Sequence, residues 1–426
     1  MPLTHDVGGE PGYACPMWLL LFACVPAGLR LPDADRPDGP EDPGGEIPGD
    51  TSPEPDDTGE EPDDGDHGGL YNPAEVHEFA IELDDAAIAA LSADPKVYVQ
   101  GAVTVDGERY ASVGVRLKGS GSFQDLSGKA AFKLDFNEYL PDQKLHGKGK
   151  ITLNNMLHDA TQVHEVVAYA AFAAAGLPHA RVGYAWVTVN GSPYGLYSNV
   201  ETPDREYLER NFGHREGNLY EGGYPYYPDS WDHADFTPDE IDHFELEVGT
   251  DVAYADLHAV LAALRSAELE PALSEVVDID AYARFQIMEA WTGQWDGYAF
   301  ASNNFRVYFD HGATGKMLMV PTGLDYCFTS HGGRLARASS PLGAACQADP
   351  ACSAHFGAVV EETLANVDAA PLVALMLETS DFIEPWVERD PRNYVDPGGA
   401  LDAELEAMET WIGTRSNDVG RWYRAD

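Results

Sequence analysis

WTGQWDGYAFASNNFRVYFDHGATGKMLMVPTGLDYCF (Trp291–Phe328) decides how the rest of this chain is read. It gives a helix end carrying Asp296, a loop carrying Asn303 and Asn304, and a β-hairpin that delivers Asp325. Two short apolar runs, Phe305–Phe309 and Met317–Val320, are joined by Asp310, Gly312 and Gly315, residue types that reverse a chain. Paired strands lie only about 5 Å apart, so the hairpin brings the acid that enters it near the acid that leaves it. Two carboxylates and an amide converging in this way suit a divalent metal, or a general base beside one. The same residues also read as unrelated turn and helix-cap groups, so their partners must be sought elsewhere.

Those partners would be cations, and the chain has few: Lys and Arg total 26 against 72 Asp and Glu. Several of them fall in VRLKGSGSFQDLSGKAAFKLDF (Val115–Phe136). Arg116 and Lys118 share one face of a strand, because side chains alternate with period two. The following Gly119-Ser120-Gly121-Ser122 loop offers backbone N–H groups unencumbered by bulky side chains, which is how such loops cradle phosphates, with Ser120 and Ser122 as extra donors. Lys129 and Lys133 add charge on the next strand. Downstream, Glu165 lies on a helix beside His164, where a carboxylate can orient a strand lysine through a charge-assisted bond.

The net charge of −46 excludes nucleic acid as a main partner, since it repels phosphate backbones. It repels ATP at long range too, so a nucleotide site must gather its cations locally and recruit metal. Apolar content of 44% is that of a globular protein. The run Met17–Ala27 is too short to span a bilayer and has the character of a secretory h-region. Within it Leu21-Phe22-Ala23-Cys24 is similar to a bacterial lipobox, which would leave Cys24 lipidated, although Asp6 and Glu10 precede it and no Lys or Arg does. Residues 1–29 are therefore read as a leader of an exported envelope lipoprotein or secreted protein. Residues 30–69, rich in Asp, Glu, Pro and Gly, cannot bury enough surface to offset chain entropy and are read as an acidic linker. Cys346 and Cys352 bracket QADPA, a short turn that a disulfide would close in an oxidising compartment.

From residue 70 onward the chain is first strand-rich. Strands are expected at Val76–Leu83, Val97–Val105, Tyr110–Lys118, Ala131–Phe136 and Ile151–Leu153, with a hairpin around Asn190-Gly191. An amphipathic helix is expected at Gln162–Ala175. Helical spacing then dominates, at Asp204–Phe212, Ala253–Arg265, Ile279–Trp295, Phe356–Asn366, Ala369–Thr379 and Leu401–Trp411. This order predicts an α+β chain with a strand-rich lobe over 70–201 and a helical lobe over 202–426 that carries the opening hairpin. No GxSxG, GxGxxG or GxxxxGK[ST] motif occurs, and the absence of HExxH excludes a zincin.

The order of short motifs is similar to that of a known family. RLKGSGS (Arg116–Ser122), KAAFKLDF (Lys129–Phe136), LNNMLHD (Leu153–Asp159), HEVVAYAAFAAAGLP (His164–Pro178) and YGLYSNVE (Tyr194–Glu201) lead to GNLYEGG (Gly217–Gly223), WDGYAFASNNFRVY (Trp295–Tyr308) and VPTGLDYCF (Val320–Phe328). Together they resemble the spore-coat protein H (CotH) kinase family of atypical protein kinases, over about residues 75–425. The resemblance implies a two-lobed kinase-like fold that transfers the γ-phosphate of ATP to Ser or Thr of a protein. It implies Asp296 as the base, Asp325 and Asn304 (with Asn303) as holders of Mg²⁺ or Mn²⁺, and Lys129 or Lys133 on the phosphates. Glu165 would be the helix glutamate and Glu201 would lie where the lobes join. Two positions depart from the family's pattern: Gly323 stands where many members carry an acid, and His164 where an Arg is common. They leave a second reading, a non-catalytic surface module on the same fold.

Overall fold

Apolar residues at alternate positions make VHEFAIE (Val76–Glu82, β1) a strand that buries Phe79 and Ile81 and exposes Glu78 and Glu82. Six further strands build on it: β2 (Val99–Val105), β3 (Glu108–Lys118), β4 (Ala131–Asp135), β5 (Lys150–Asn154), β6 (Val182–Val189) and β7 (Ser192–Val200). The computed structural model describes residues 69–225, 230–393 and 400–424. The expected leader with Cys24 and nearly all of the acidic linker lie outside the described residues.

The seven strands close into a barrel in the order β1-β2-β3-β4-β5-β7-β6. Closure comes from β1, which pairs antiparallel with β2 and parallel with β6. The sequence predicts the strands and the Asn190-Gly191 hairpin between β6 and β7, but not the closure. Val103, Val113, Val115, Phe132, Leu134 and Leu153 fill the interior with essentially no exposure.

Two helices punctuate the barrel strands, α1 (Asp85–Ala93) and α2 (His164–Ala174). The helix expected at Gln162–Ala175 is α2, but it is not amphipathic in effect: eight of its eleven residues are buried. Its apolar side chains, Val167 and Phe172 among them, belong to the larger core shared with the second half of the chain.

That second half runs through α3 (Arg205–Phe212), β8 (Asn218–Glu221), β9 (Glu245–Val248), α4 (Ala255–Leu264), α5 (Leu269–Val276), α6 (Ile279–Thr292), α7 (Tyr298–Ala301), β10 (Phe305–Phe309) and β11 (Met317–Pro321). Helices α8 (Pro341–Ala348), α9 (Pro350–Asn366), α10 (Ala369–Arg389) and α11 (Ala400–Tyr423) complete it. The predicted hairpin is β10–β11, with Phe305 opposite Pro321. It does not stand alone, because β8 and β9 extend it into a four-stranded antiparallel sheet ordered β11-β10-β8-β9. Helix α6 runs through the core, with Ile287, Met288 and Trp291 fully buried. The observed class is α+β, as expected.

QADPA is not a free turn. Asp349 caps α9, its carboxylate accepting from the N–H of Ala351 and Cys352 at 3.0 and 2.9 Å, with Pro350 in the first turn. Cys346 on α8 and Cys352 on α9 are disulfide-bonded, their Cα atoms 5.0 Å apart, and Cys327 is a buried free thiol. Among the described residues no helix is long and apolar enough to cross a membrane.

Candidate active site

Strand register builds the first wall of the site. Arg116 of β3 lies opposite Lys133 of β4, and Lys133 opposite Thr152 of β5. Residues directly opposed in antiparallel strands share a face, so these three look out of the barrel while Leu117, Phe132 and Leu153 fill it. Alternation places Lys118 on the same outer face as Arg116. This face borders a cavity of about 730 Å³, which Gly119–Ser122, Asn154 and Glu165 also line. Asn155 pins the loop, donating to the carbonyls of Ser122 and Lys129 at 2.9 and 2.8 Å.

Lys118 is the lysine placed against the helix glutamate. Its half-buried side chain donates to Oδ1 of Asn154, and Nδ2 of the same amide donates to both oxygens of Glu165 at 2.9 and 3.0 Å. Ser198 Oγ adds a third bond to Glu165 at 2.5 Å. Burial lowers the Lys118 pKa against the opposing charges of Glu165 and Asp325. Burial, reinforced by Asp325, lifts Glu165 to about 7 despite the bonds from Ser198 and Asn154. Asp159 fixes the start of α2, taking the N–H of Gln162 and of His164 at 2.7 Å each.

The acids form the opposite wall. Helix α6 stops at Thr292, so Asp296 sits beyond the helix end, in the turn leading to α7. That turn wraps around buried Glu289, which accepts from the N–H of Tyr298 and Ala299 at 2.8 Å each. A Cβ on Gly297 would stand 2.1 Å from Oε1 of Glu289, so the close approach requires glycine there. Asp296 is held by two amides: Asn303 Nδ2 donates to Oδ1 at 3.3 Å and Asn304 Nδ2 to Oδ2 at 2.9 Å. Burial raises the Asp296 pKa, the two amides oppose it, and the charge of Asp325 raises it further.

Asp325 follows β11 in a 3-10 turn, Leu324–Tyr326. Its backbone carbonyl meets Nδ1 of His164 at 2.9 Å, so His164 braces this turn. His158 presents Nδ1 to Oδ2 of Asp325 at 3.7 Å. Burial opposes a charge on Asp325, but His158 and Lys118 outweigh it and hold its pKa below the ordinary value. Asp296, Asn303, Asn304 and Asp325 all line the cavity, as do Arg116, Lys118, Ser120 and Ser122.

Three further expected residues have charged partners of their own. Lys129 precedes β4, is not among the residues lining the cavity, and makes an internal ion pair with buried Asp390 at 2.8 Å. Lys133 does line the cavity, but among Glu221, Glu247, Arg116 and Arg306, and burial lowers it to about 8. Glu201 lines the cavity while committed to Arg210 and Arg181 at 2.6 and 3.0 Å. These cations and Lys148 override its burial and hold it at about 2.

The carboxylates of Glu221, Glu245 and Glu247 lie within 4.8 Å of one another, close enough for an ion, as do the ligand atoms of His233, Asp235 and Glu240. Arg306 already pairs with Glu221 at 2.7 Å, and both nitrogens of His233 are engaged, by Glu240 and by the Ser302 carbonyl. Asn154, His158 and Glu289 are the site residues that sequence reasoning missed; only their position inside quoted or helical segments signalled them.

An ammonium tied to a helix carboxylate, facing two aspartates across a cavity, is the set of groups that kinase-like proteins bring to a nucleotide. Comparison of families agrees: residues 115–419 match the model described as CotH kinase protein, and the chain belongs to that family. No curated protein matches it.

Proposed function

We propose that this chain is an atypical protein kinase, transferring the γ-phosphate of ATP to a Ser or Thr hydroxyl of an envelope or secreted protein. The observation that carries this is Lys118, a half-buried cation joined through Asn154 to Glu165 and set across one cavity from Asp296 and Asp325. In this reading the barrel and the helical half are the two lobes of a kinase-like arrangement.

The residues fit a nucleotide with a divalent ion. Arg116 carries a buried Nε with no hydrogen-bond partner, a donor left for phosphate. Asp325 and Asn304 would hold Mg²⁺ or Mn²⁺ through hard oxygen donors; Asn304 spends its amide nitrogen on Asp296 and keeps Oδ1 for a cation. A bound ion supplies positive charge to the phosphate oxygens. Lys118, Arg116 and the N–H groups of Gly119–Ser122 bind and orient those oxygens. Asp296, aimed by two amides, accepts the proton of the acceptor hydroxyl. The Cys346–Cys352 disulfide supports an oxidising compartment and hence export, and the reading retains a lipid anchor at Cys24 as its only link to a membrane.

Incubation of the full chain with γ-labelled ATP and Mg²⁺ or Mn²⁺ tests the proposal. Label transfer is expected, lost in Asp296→Ala with nucleotide binding retained, and lost in Asp325→Ala together with metal-dependent binding. Absence of both transfer and metal-dependent nucleotide binding sinks the kinase and leaves the non-catalytic module. A diacylglyceryl mass on the mature N-terminus checks Cys24.

A further inference from the structure

His158 has no part in the mechanism above, yet it stands in the acid wall. Its Nδ1 faces Oδ2 of Asp325 at 3.7 Å, beyond hydrogen-bond reach. That gap is close to the roughly 3 to 3.6 Å separating two donor atoms bound about 2.1 Å from one divalent ion. The imidazole is fixed in its plane, stacked on Tyr326 at 4.7 Å between centroids and 19° between planes. Stacking of this kind limits how far the ring can turn away from Asp325. The Gly/Ser loop passes close by, since a Cβ on Gly121 would lie 3.6 Å from Cε1 of His158. His158 thus sits where the metal-holding aspartate, the loop and the cavity meet, with side-chain exposure of 29%.

We infer that His158 is a further metal ligand, donating Nδ1 to the ion held by Asp325 and turning an all-oxygen site into a mixed nitrogen–oxygen one. The inference rests on the metal site of the proposed function. An imidazole donor favours Mn²⁺ over Mg²⁺, which prefers oxygen and keeps its waters. Of these two ions Mn²⁺ would then be the better held, with His158 the residue that disfavours Mg²⁺.

Electron spin-echo envelope modulation of Mn²⁺ bound to the full chain with a non-hydrolysable ATP analogue reads the coordination directly. Nitrogen-14 modulation of the imidazole type is expected in the parent and lost in His158→Gln, with Mn²⁺ still bound. Calorimetry is expected to show Mn²⁺ affinity falling about tenfold or more in that variant, with Mg²⁺ affinity changed much less. Bound Mn²⁺ that Asp325→Asn releases but that shows no imidazole modulation overturns the inference and leaves the proposed function standing. Modulation that persists in His158→Gln assigns it to another histidine and also overturns the inference. Failure of Mn²⁺ to bind with nucleotide where Mg²⁺ does bind overturns the inference alone, failure of both ions overturns the proposed function as well, and the parent measurement stands whether or not the variant folds.

Discussion

Lys118 and Lys129 carry the same charge on the same short stretch, and their surroundings give them opposite work. Lys118→Met removes a charged donor from the cavity, expected to weaken nucleotide binding by about 1.5–3 kcal/mol, or roughly ten- to a hundredfold, in a fluorescence titration. Lys129→Met instead strands the buried Asp390 carboxylate, so thermal unfolding should reveal a loss of roughly 3–5 kcal/mol. Sequence alternation could not rank Lys129 against Lys133 or single out Lys118, because the deciding partners, Asn154, Glu165 and Asp390, lie far along the chain. The aspartates were legible, since their spacing across one hairpin is local. Gly323 has an account of its own: at φ +62°, a Cβ would stand 2.8 Å from Oδ1 of Asn304. An acid here would displace the asparagine, so Gly323 and Asn304 belong together. Gly323→Ala should cost roughly 1–2 kcal/mol of stability through its left-handed backbone, and should weaken metal-dependent nucleotide binding as Asn304 moves.

At the scale of elements, buried acids set how the helices answer to pH. Glu289 at the end of α6 is raised to about 8 by burial, against the two N–H groups of α7. Between its unfolded value of about 4.3 and 8 the folded chain keeps a proton that the unfolded chain has released. The stability Glu289 contributes is therefore full at acid pH and declines as pH rises through that window. Glu201 is the reverse case: held at about 2, it contributes above its unfolded value and loses that contribution as pH falls toward 2. Denaturant unfolding across pH should show Glu289→Gln flattening the decline between about pH 4 and 8, and Glu201→Gln flattening the loss of stability at acid pH. The strongly patterned elements, β6–β7, β10–β11 and α6, were legible in the sequence; β8 and β9 were not, being four residues each with no room for a period to show.

The whole molecule repels the ligand it is proposed to bind. With a net charge of −46, long-range repulsion slows an anionic nucleotide's approach, while the local cations act only at contact. Salt screens the long-range part first, over about 10 Å at 0.1 M. Stopped-flow measurement should show nucleotide association accelerating as ionic strength rises from 10 to roughly 150 mM, opposite to a site fed by attraction. Barrel closure was illegible for a related reason of scale, because β1 meets β6 across about a hundred residues, a pairing that no local pattern encodes.

That closure bears on self-association. A closed barrel offers no free backbone ladder for a foreign strand, so among the described strands only β9 and β11 end a sheet. Val277 bridges to Met317 beside β11. The four residues of β9 carry Glu245 and Glu247, charges of the kind that guard an edge against strand addition. Two glutamates bordering the cavity thereby also set negative charge along one open edge of the sheet, where an added strand would have to pair.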